Sequence, residues 1–215
     1  MSSLFITATG TNIGKTRTTL KLIETLAAQG YSVGVYKPIE TGVTDIPADA
    51  AVLLEACRKV NNAFKELTPA DITAYTFELP AAPFCADENK RITPEMLIEK
   101  HKALSGLCDI LLIEGAGGLM VPITKEYLML HFIKELDCPA LLVTPSRLGC
   151  INDTLLSMMA LRSFDIGFDW CVNLYEDKED FAKVTQPYYD AIFPEWWSVE
   201  EGLGDFAASF TVNPI

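Results

Sequence analysis

The chain has 215 residues, 49% of them hydrophobic, and carries 17 Lys and Arg against 29 Asp and Glu, a formal net charge of −12. This length and composition suit a single globular α/β domain over residues 1–215. The acidic excess argues against nucleic acid and anionic membranes as partners, because both bind clustered positive charge.

The sequence lacks the features that are typical of secreted and membrane proteins. Its first residues show neither the basic start nor the apolar stretch of a signal peptide, and no apolar run approaches the ~20 residues that cross a bilayer. None of the six cysteines forms a CxxC pair, which is typical of reduced thiols in the cytosol. The sequence therefore predicts a cytoplasmic protein.

Predicted strands and helices alternate along the chain. Short apolar or β-branched runs predict strands, and apolar residues spaced three or four apart predict helices. In chain order the predicted elements are a strand over 4–9, a turn over 10–16, a helix over 15–29, a strand over 33–37, a helix over 48–60, an irregular stretch over 61–92, a helix over 94–105, a strand over 109–113, a helix over 126–136, a strand over 140–144, a helix over 151–163 and a strand over 169–174. The chain from about Glu176 onward is the least readable part of the sequence. The alternation predicts an α/β fold whose mostly parallel sheet is flanked by helices, with ligands at the carboxyl ends of its strands.

The strongest motif is TGTNIGKT over 9–16, between the first predicted strand and the first predicted helix. In a phosphate loop, consecutive backbone N–H groups and the helix N-terminus point at phosphate oxygens. Gly14 permits close approach of the backbone, Lys15 reaches the outer phosphates, and the Thr16 hydroxyl is a typical Mg²⁺ ligand. The motif departs from G-x-x-x-x-G-K-[ST] at one position, because Thr9 stands where the first glycine is usual and Gly10 follows it. We therefore predict a P-loop fold that binds a nucleoside triphosphate with Mg²⁺.

Three charged residues near other strand ends complete this hypothesis. Phosphoryl transfer requires further metal ligands and positive charge, and Glu114, which precedes a glycine-rich turn, is predicted to bind the metal rather than to be a surface side chain. Lys37 is predicted to neutralise a phosphate or carbamate, with a charged edge-strand lysine as the alternative. Asp49 adds a metal contact, or is a carboxylate favoured at a helix N-terminus.

A second anion site is a weaker possibility at Gly149-Cys150-Ile151-Asn152, where a helix begins after a predicted strand. Free N–H groups there suit a carboxylate. The pattern alone favours the alternative, in which Asn152 or Asp153 caps the helix.

Together these segments resemble the dethiobiotin synthetase family. The segments are TATGTNIGKT at 7–16, KPIETG at 37–42, the helix with Asp49, TFELPAAP at 76–83, EGAGGLMVP at 114–122 and RLGCIN at 147–152. They are spread over residues 1–175, and EGAGG followed by LGCIN is the most specific combination.

The resemblance implies a homodimer of P-loop α/β subunits with the substrate site at the interface. It implies ATP, Mg²⁺, carbon dioxide and 7,8-diaminononanoate as reactants. One amine of the substrate becomes a carbamate, the γ-phosphate activates the carbamate as a mixed anhydride, and the neighbouring amine closes the ring.

The resemblance also implies a role for particular residues of this chain. The implied nucleotide-binding residues are Asn12, Ile13, Gly14, Lys15, Thr16, Arg17, Asp49, Glu114, Gly115, Ala116, Gly117 and Asn173. The implied Mg²⁺ ligands are Thr16, Asp49 and Glu114. The implied catalytic residues are Lys37, Lys15 and Thr11. The implied substrate-binding residues are Thr41 and, from across the dimer interface, Gly149, Cys150, Ile151 and Asn152.

Departures from the family pattern concentrate on the nucleobase side. Asn173 is implied to read the base, but Leu174 follows it where the family usually has Asp. The sequence FPEWWSVEEGLG at 193–204 stands in place of the usual Gly-x-Ile-Pro segment. The choice among ATP, GTP and CTP therefore stays open at this stage, as does whether Tyr188 or Tyr189 reaches the substrate carboxylate.

Two other classes of protein fit the phosphate loop alone. A partition-type ATPase of the same fold usually carries an extra lysine where this chain has Ala8, Thr9 and Gly10, and often binds DNA or membrane. A non-catalytic nucleotide switch would leave Lys37 and the Gly149–Asn152 segment without a role. Both remain alternatives to the ligase hypothesis.

Overall fold

The architecture is taken from a computed structural model, which describes residues 2–175 and 178–212. The domain predicted over 1–215 also includes residues 1, 176, 177 and 213–215, which lie outside the described residues. Glu176, from which the sequence is least readable, is one of them. The strands are β1 Ser2–Ala8, β2 Val33–Tyr36, β3 Ile39–Thr41, β4 Tyr75–Phe77, β5 Ile110–Gly118, β6 Ala140–Pro145, β7 Phe168–Asn173 and β8 Trp197–Ser198. The helices are α1 Lys15–Ala28, α2 Ala48–Arg58, α3 Pro83–Ala86, α4 Pro94–Ser105, α5 Met129–Leu136, α6 Cys150–Ser163, α7 Lys178–Val184, α8 Gln186–Ile192 and α9 Leu203–Val212.

The main sheet has six parallel strands in the order β2-β5-β1-β6-β7-β8. Residues Leu4–Ile6 of β1 and Leu141–Val143 of β6 are fully buried, because helices cover both faces of the sheet and central strands then read as continuous apolar runs. This confirms the predicted α/β class with a mostly parallel sheet. Parallel pairing also places the carboxyl ends of β1, β2, β5 and β7 at one edge, where the candidate site lies.

The predicted elements were least accurate between residues 61 and 128. The stretch over 61–92 is not wholly irregular, since it contains a 3₁₀ turn at Asn62–Phe64, β4 and α3, and β4 pairs with β3 in a separate two-stranded sheet. Strand β5 extends to Gly118 rather than ending at residue 113, because it stays paired with β1 as far as Ala8. The helix predicted over 126–136 begins only at Met129, because Leu128 is held in a bridge to Pro122.

The C-terminal part of the chain extends the sheet and packs against the P-loop helix. Strand β8 pairs with β7, and α9 contacts α1. The rings of Trp170, Tyr189 and Phe193 form an aromatic cluster under this segment, with centroids 4.9 Å apart for Trp170–Tyr189 and 5.2 Å for Trp170–Phe193. Over residues 2–175 and 178–212, no helix has both the length and the apolar character needed to cross a bilayer.

Candidate active site

The phosphate loop connects β1 to α1, as the sequence predicts. Gly14 precedes the helix with φ 103°, a left-handed conformation that favours glycine. Lys15 begins the helix, is largely buried, and donates a hydrogen bond from Nζ to the Gly10 carbonyl at 3.1 Å. The side chain therefore lies folded over its own loop, the position from which a lysine reaches bound phosphates.

A second reason for glycine at position 14 is the neighbouring Asn173 at the end of β7. A Cβ atom at position 14 would overlap the Nδ2 atom of Asn173 and lie 3.0 Å from its Cγ. The same Nδ2 donates to the Ile13 carbonyl at 2.9 Å. The loop is thus tied through Gly14 and Ile13 to the strand end implied to read the base.

Lys37 lies between two carboxylates directly after β2. Its Nζ is 2.7 Å from Glu114 Oε1 and 2.9 Å from Asp49 Oδ2. Lys37 is only 3% exposed and Glu114 is fully buried. A solvated edge-strand lysine and an ordinary surface glutamate, the alternatives considered from the sequence, do not fit this burial.

Glu114 accepts hydrogen bonds from the P-loop helix at both of its oxygens. The Thr16 hydroxyl donates to Oε1 and the Thr19 hydroxyl donates to Oε2, each at 2.9 Å. Since a buried carboxylate is costly unless it is paired and hydrogen-bonded, these bonds and the contact with Lys37 compensate the burial of Glu114 beside the loop. Thr19 had no predicted role, because its importance depends on a contact 95 residues away along the chain.

The two lysines have opposite pKa shifts. Burial by itself would lower the pKa of Lys37, but the charges of Glu114 and Asp49 outweigh it and hold this pKa above its usual value. Burial, and then the charge of Lys37, lower the pKa of Lys15 to about 8. An anion bound beside Lys15 would oppose both effects, so the loop is electrostatically suited to accept phosphate.

A cleft of about 970 Å³ collects most of the predicted site, a volume typical of a small-molecule site. Its walls include every predicted nucleotide-binding, metal-binding and catalytic residue, together with Thr41. The predicted residues among them are Thr11, Asn12, Ile13, Gly14, Lys15, Thr16, Arg17, Lys37, Thr41, Asp49, Glu114, Gly115, Ala116, Gly117 and Asn173.

The segment Gly149–Asn152 does not line this cleft. The Cys150 side chain is buried, accepts from the Tyr189 hydroxyl with the two atoms 3.6 Å apart, and so faces the interior. The capping alternative is wrong: Gly149 occupies the cap position with φ 92° and no side-chain bond, and Asp153 pairs with Arg147 at 2.8 Å instead.

Of the two tyrosines considered for the substrate carboxylate, Tyr189 is fully buried, whereas Tyr188 lies partly at the surface. The Tyr189 hydroxyl is 3.1 Å from the Thr154 hydroxyl, inside the protein. Tyr189 therefore belongs to the interior beneath α6 in this chain.

At the end of the cleft near Asn173, the predicted residue Arg17 contacts two groups that the sequence did not indicate, Glu200 and Tyr175. Arg17 donates to Asn173 Oδ1 at 2.7 Å and pairs with Glu200 Oε1 at the same distance. The exposed ring of Tyr175 faces the Arg17 guanidinium, with 5.7 Å from Cζ to the ring centroid. Because Arg17 holds Oδ1 and the Ile13 carbonyl holds Nδ2, the orientation of the Asn173 amide is fixed.

Comparison with known proteins identifies the family. A family model described as an AAA domain matches residues 2–168. The ATP-dependent dethiobiotin synthetase of Sulfurovum sp. strain NBC37-1 is 67% identical over 209 residues, which cover 97% of this chain and 100% of that protein. The chain belongs to the dethiobiotin synthetase family. The ATP-dependent dethiobiotin synthetase of Wolinella succinogenes is 36% identical over 192 residues and 88% of each chain.

Solved structures of other P-loop proteins share the fold of this dethiobiotin synthetase family member. The structure of a plasmid partition protein from Borrelia burgdorferi matches with a TM-score of 0.62 and 9% identity, over 100% of this chain and 99% of that one. At that identity the likeness concerns the fold alone, and it confirms the predicted P-loop architecture.

Proposed function

We propose that this protein catalyses the ATP-dependent formation of dethiobiotin from 7,8-diaminononanoate and carbon dioxide. Membership of the dethiobiotin synthetase family supports this function over a partition-type ATPase or a nucleotide switch. The observation that carries the proposal is the buried Lys37, held by Glu114 and Asp49 at one wall of the P-loop cleft. A nucleotide switch has no evident use for a buried cation at this position, whereas a reaction that moves a phosphoryl group onto an anionic acceptor does.

The proposed reaction has three steps. One amine of the diamine adds to carbon dioxide and loses a proton, which gives a carbamate. A carbamate oxygen attacks the γ-phosphorus of ATP, ADP leaves, and a carbamic–phosphoric anhydride forms. The neighbouring amine then attacks the anhydride carbonyl and loses a proton, so that the ring closes and inorganic phosphate leaves.

The protein contributes positive charge and positioning rather than a nucleophile, because the substrate carries both amines. Lys15 would contact the outer phosphates and Lys37 would face the charge shared by the carbamate and the γ-phosphate. Thr41, the last residue of β3, lines the same cleft as the loop at Pro80–Pro83. Holding amine and carbamate together accounts for much of the expected rate gain, since positioning removes the entropy cost of their encounter.

The donor set beside the loop fits Mg²⁺. We assign the ion to Thr16, Asp49 and Glu114, whose oxygens lie around Lys37 Nζ and the loop. Over the described residues no group of three or more His, Cys, Asp or Glu is arranged to hold a metal. Mg²⁺ is commonly held by one or two carboxylates with the substrate phosphates. When bound, it would neutralise charge on those phosphates.

Replacing Glu114 with glutamine is expected to weaken Mg²⁺-dependent nucleotide binding by about tenfold to a hundredfold. The neutral amide keeps the volume but offers the ion no charge. Calorimetric titration of ADP at several Mg²⁺ concentrations measures the effect. The control is Glu24→Gln, which replaces an exposed carboxylate on α1 by the same neutral amide. An unchanged Mg²⁺ dependence would remove Glu114 from the metal site.

A homodimer is proposed from one face of α6 and from Leu148, which lies two residues before the helix begins. Leu148, Leu156 and Met159 are 81%, 58% and 63% exposed. Asn152, Leu156 and Met159 follow the i, i+4, i+7 spacing of one helix face. Burying this face against a second copy would also carry the Gly149–Asn152 segment towards the other subunit, which suits a substrate site at the interface.

The double variant Leu156→Glu/Met159→Glu is expected to be monomeric by light scattering, to bind nucleotide normally, and to lose diamine-dependent turnover. Charges buried against a partner are costly unless paired. Met96→Glu, on the exposed face of α4, is the matched control and is expected to leave the dimer intact. A dimeric, active double variant would place the interface elsewhere.

Mixing two inactive variants tests whether one site uses both subunits. Lys37→Met and Asn152→Asp, refolded together, are expected to recover about a quarter of wild-type activity, because half of the dimers are mixed and each mixed dimer has one intact site. Absence of recovery would place all site residues within one subunit.

The experiment that tests the proposed function is phosphate release with Mg²⁺–ATP and bicarbonate, with and without the diaminononanoate. Release that depends on the diamine is the expected result. Release that is indifferent to the diamine would support a partition-type ATPase or a switch instead. Repeating the assay with GTP and CTP decides the nucleotide preference. A cytoplasmic location stays a sequence-based prediction.

A further inference from the structure

The first turn of α2 is capped by a residue from another element. Pro47 occupies the cap position and has no side-chain hydrogen bond to the helix. Glu40 at the centre of β3 supplies the cap instead: Oε1 accepts from the Asp49 amide and Oε2 from the Ala50 amide, each at 2.9 Å. Both oxygens of one carboxylate are thus committed to the start of a helix eight residues further along the chain.

The Glu40 carboxylate lies at the N-terminus of α2, the end of a helix that favours negative charge. The N-terminus of a helix carries a partial positive charge and unpaired N–H groups, which a carboxylate satisfies better than a neutral side chain. Glu40 is 7% exposed, so water competes weakly for its oxygens. A buried anion held by two amides fixes the position of the helix end relative to β3.

Asp49 is the residue whose position this contact controls. Its backbone N–H is bound by Glu40, and its side chain accepts from Lys37 at 2.9 Å. The Asp49 side chain is about half-exposed and lines the cleft, so little packing beyond these contacts restrains it. Thr41, the residue after Glu40, lines the same cleft from β3. One side chain therefore connects the metal end of the cleft to its substrate end.

We propose that Glu40 is a positioning residue that clamps the first turn of α2 to β3 and so holds Asp49 in place for the metal–nucleotide complex. The proposal rests on the proposed function through Asp49, which is assigned there to Mg²⁺. Glu40 also lines the cleft, but both of its oxygens accept from backbone amides, so in this role it acts on the metal–nucleotide complex through Asp49.

The test measures ADP binding to the full chain by calorimetry at a series of Mg²⁺ concentrations. Glu40→Ala removes both cap bonds and is expected to raise the Mg²⁺ concentration for half-maximal binding by about tenfold, while ADP binding without Mg²⁺ is unchanged. Glu40→Gln keeps one acceptor oxygen and is expected to fall between Glu40→Ala and wild type. Glu55→Gln, an exposed exchange on the same helix, is expected to have no effect.

A double-mutant cycle separates positioning from simple stabilisation. If Glu40 acts through Asp49, Glu40→Ala adds little to the Mg²⁺ effect of Asp49→Asn, since coupled residues are not additive. Lower thermal stability with an unchanged Mg²⁺ titration in Glu40→Ala would overturn the proposal and leave a purely structural cap. Should Glu40→Ala not fold, Glu40→Gln decides by the same titration.

Failure of the proposed function gives a different result. If Asp49→Asn itself leaves the Mg²⁺ titration unchanged, the metal assignment is wrong and the positioning role falls with it. If the titrations behave as expected but phosphate release ignores the diamine, the positioning role stands and the ligase function does not.

Discussion

Replacing Lys37 with methionine is expected to reduce diamine-dependent phosphate release by about 10²–10³-fold, with nucleotide affinity changed far less. Methionine keeps most of the side-chain volume but removes the only charge that Lys37 brings between Glu114 and Asp49. Single-turnover phosphate release and ADP calorimetry separate the two effects. Lys65→Met, an exposed exchange in the loop after α2, is the control, and normal turnover in Lys37→Met would refute the assigned role.

The same variant is expected to lose stability, because Glu114 then lies fully buried with no cation beside it. Removing one partner of a buried ion pair typically costs about 3–5 kcal/mol. The two threonine hydroxyls that bond Glu114 place the expected cost at the lower end of that range. Urea unfolding at neutral pH measures it.

A compensating change distinguishes the catalytic loss from the structural one. In Lys37→Met/Glu114→Gln the buried negative charge is removed together with its partner. This double variant is therefore expected to regain most of the free energy of unfolding that Lys37→Met loses. Turnover is not expected to recover, since the cation is still missing. Recovery of both would mean that Lys37 serves the fold alone.

Gly14→Ala is expected to lower nucleotide affinity by about a hundredfold, equivalent to about 3 kcal/mol. An alanine at φ 103° is strained by about 1–2 kcal/mol, and its Cβ would displace Asn173 from the Ile13 carbonyl and from Arg17. The loop can then no longer keep both its own shape and its contact with β7.

Gly30→Ala is the matched control for Gly14→Ala. Gly30 follows α1 with φ 94°, and a Cβ there meets no atom within 4 Å. This control carries the backbone strain without the overlap, so stability is expected to fall modestly and nucleotide affinity to stay unchanged. Adding Asn173→Ala to Gly14→Ala removes the overlapping side chain and is expected to restore part of the nucleotide affinity. If the two glycine variants weaken binding equally, the Asn173 overlap is not the cause.

The residues whose place beside the cleft could be expected from the sequence are those whose position follows from local rules. The phosphate loop is a contiguous motif, and Lys37 and Glu114 follow apolar strands whose carboxyl ends meet at one edge of a parallel sheet. The order of β1, β2, β5, β6 and β7, with the helices α1, α2, α4, α5 and α6 between them, follows from apolar periodicity in the same way. These rules need no knowledge of which distant residues touch.

The residues that the sequence missed depend on contacts between distant parts of the chain. Glu40 lies within the KPIETG segment, but nothing in that segment shows that its carboxylate reaches the amides of α2. Glu200 pairs with Arg17 across 183 positions. Strand β4 is three residues long and pairs with a three-residue partner, too short for alternation to be seen. The Cys150 side chain likewise faces the interior through its contact with Tyr189, which lies 39 positions further along the chain.

The packing of the C-terminal segment on α1 has a consequence for the order of folding. Strand β8 pairs with β7, while Glu200 and α9 contact α1, the helix that begins with Lys15 and carries Arg17. During synthesis these contacts become available only after nearly the whole chain has left the ribosome. The loop and most of the sheet can form on the nascent chain, but the contacts of Arg17 with Glu200 are completed last. A nucleotide that binds a nascent chain through the phosphate loop would therefore meet the finished Asn173 end of the cleft only after synthesis is nearly complete.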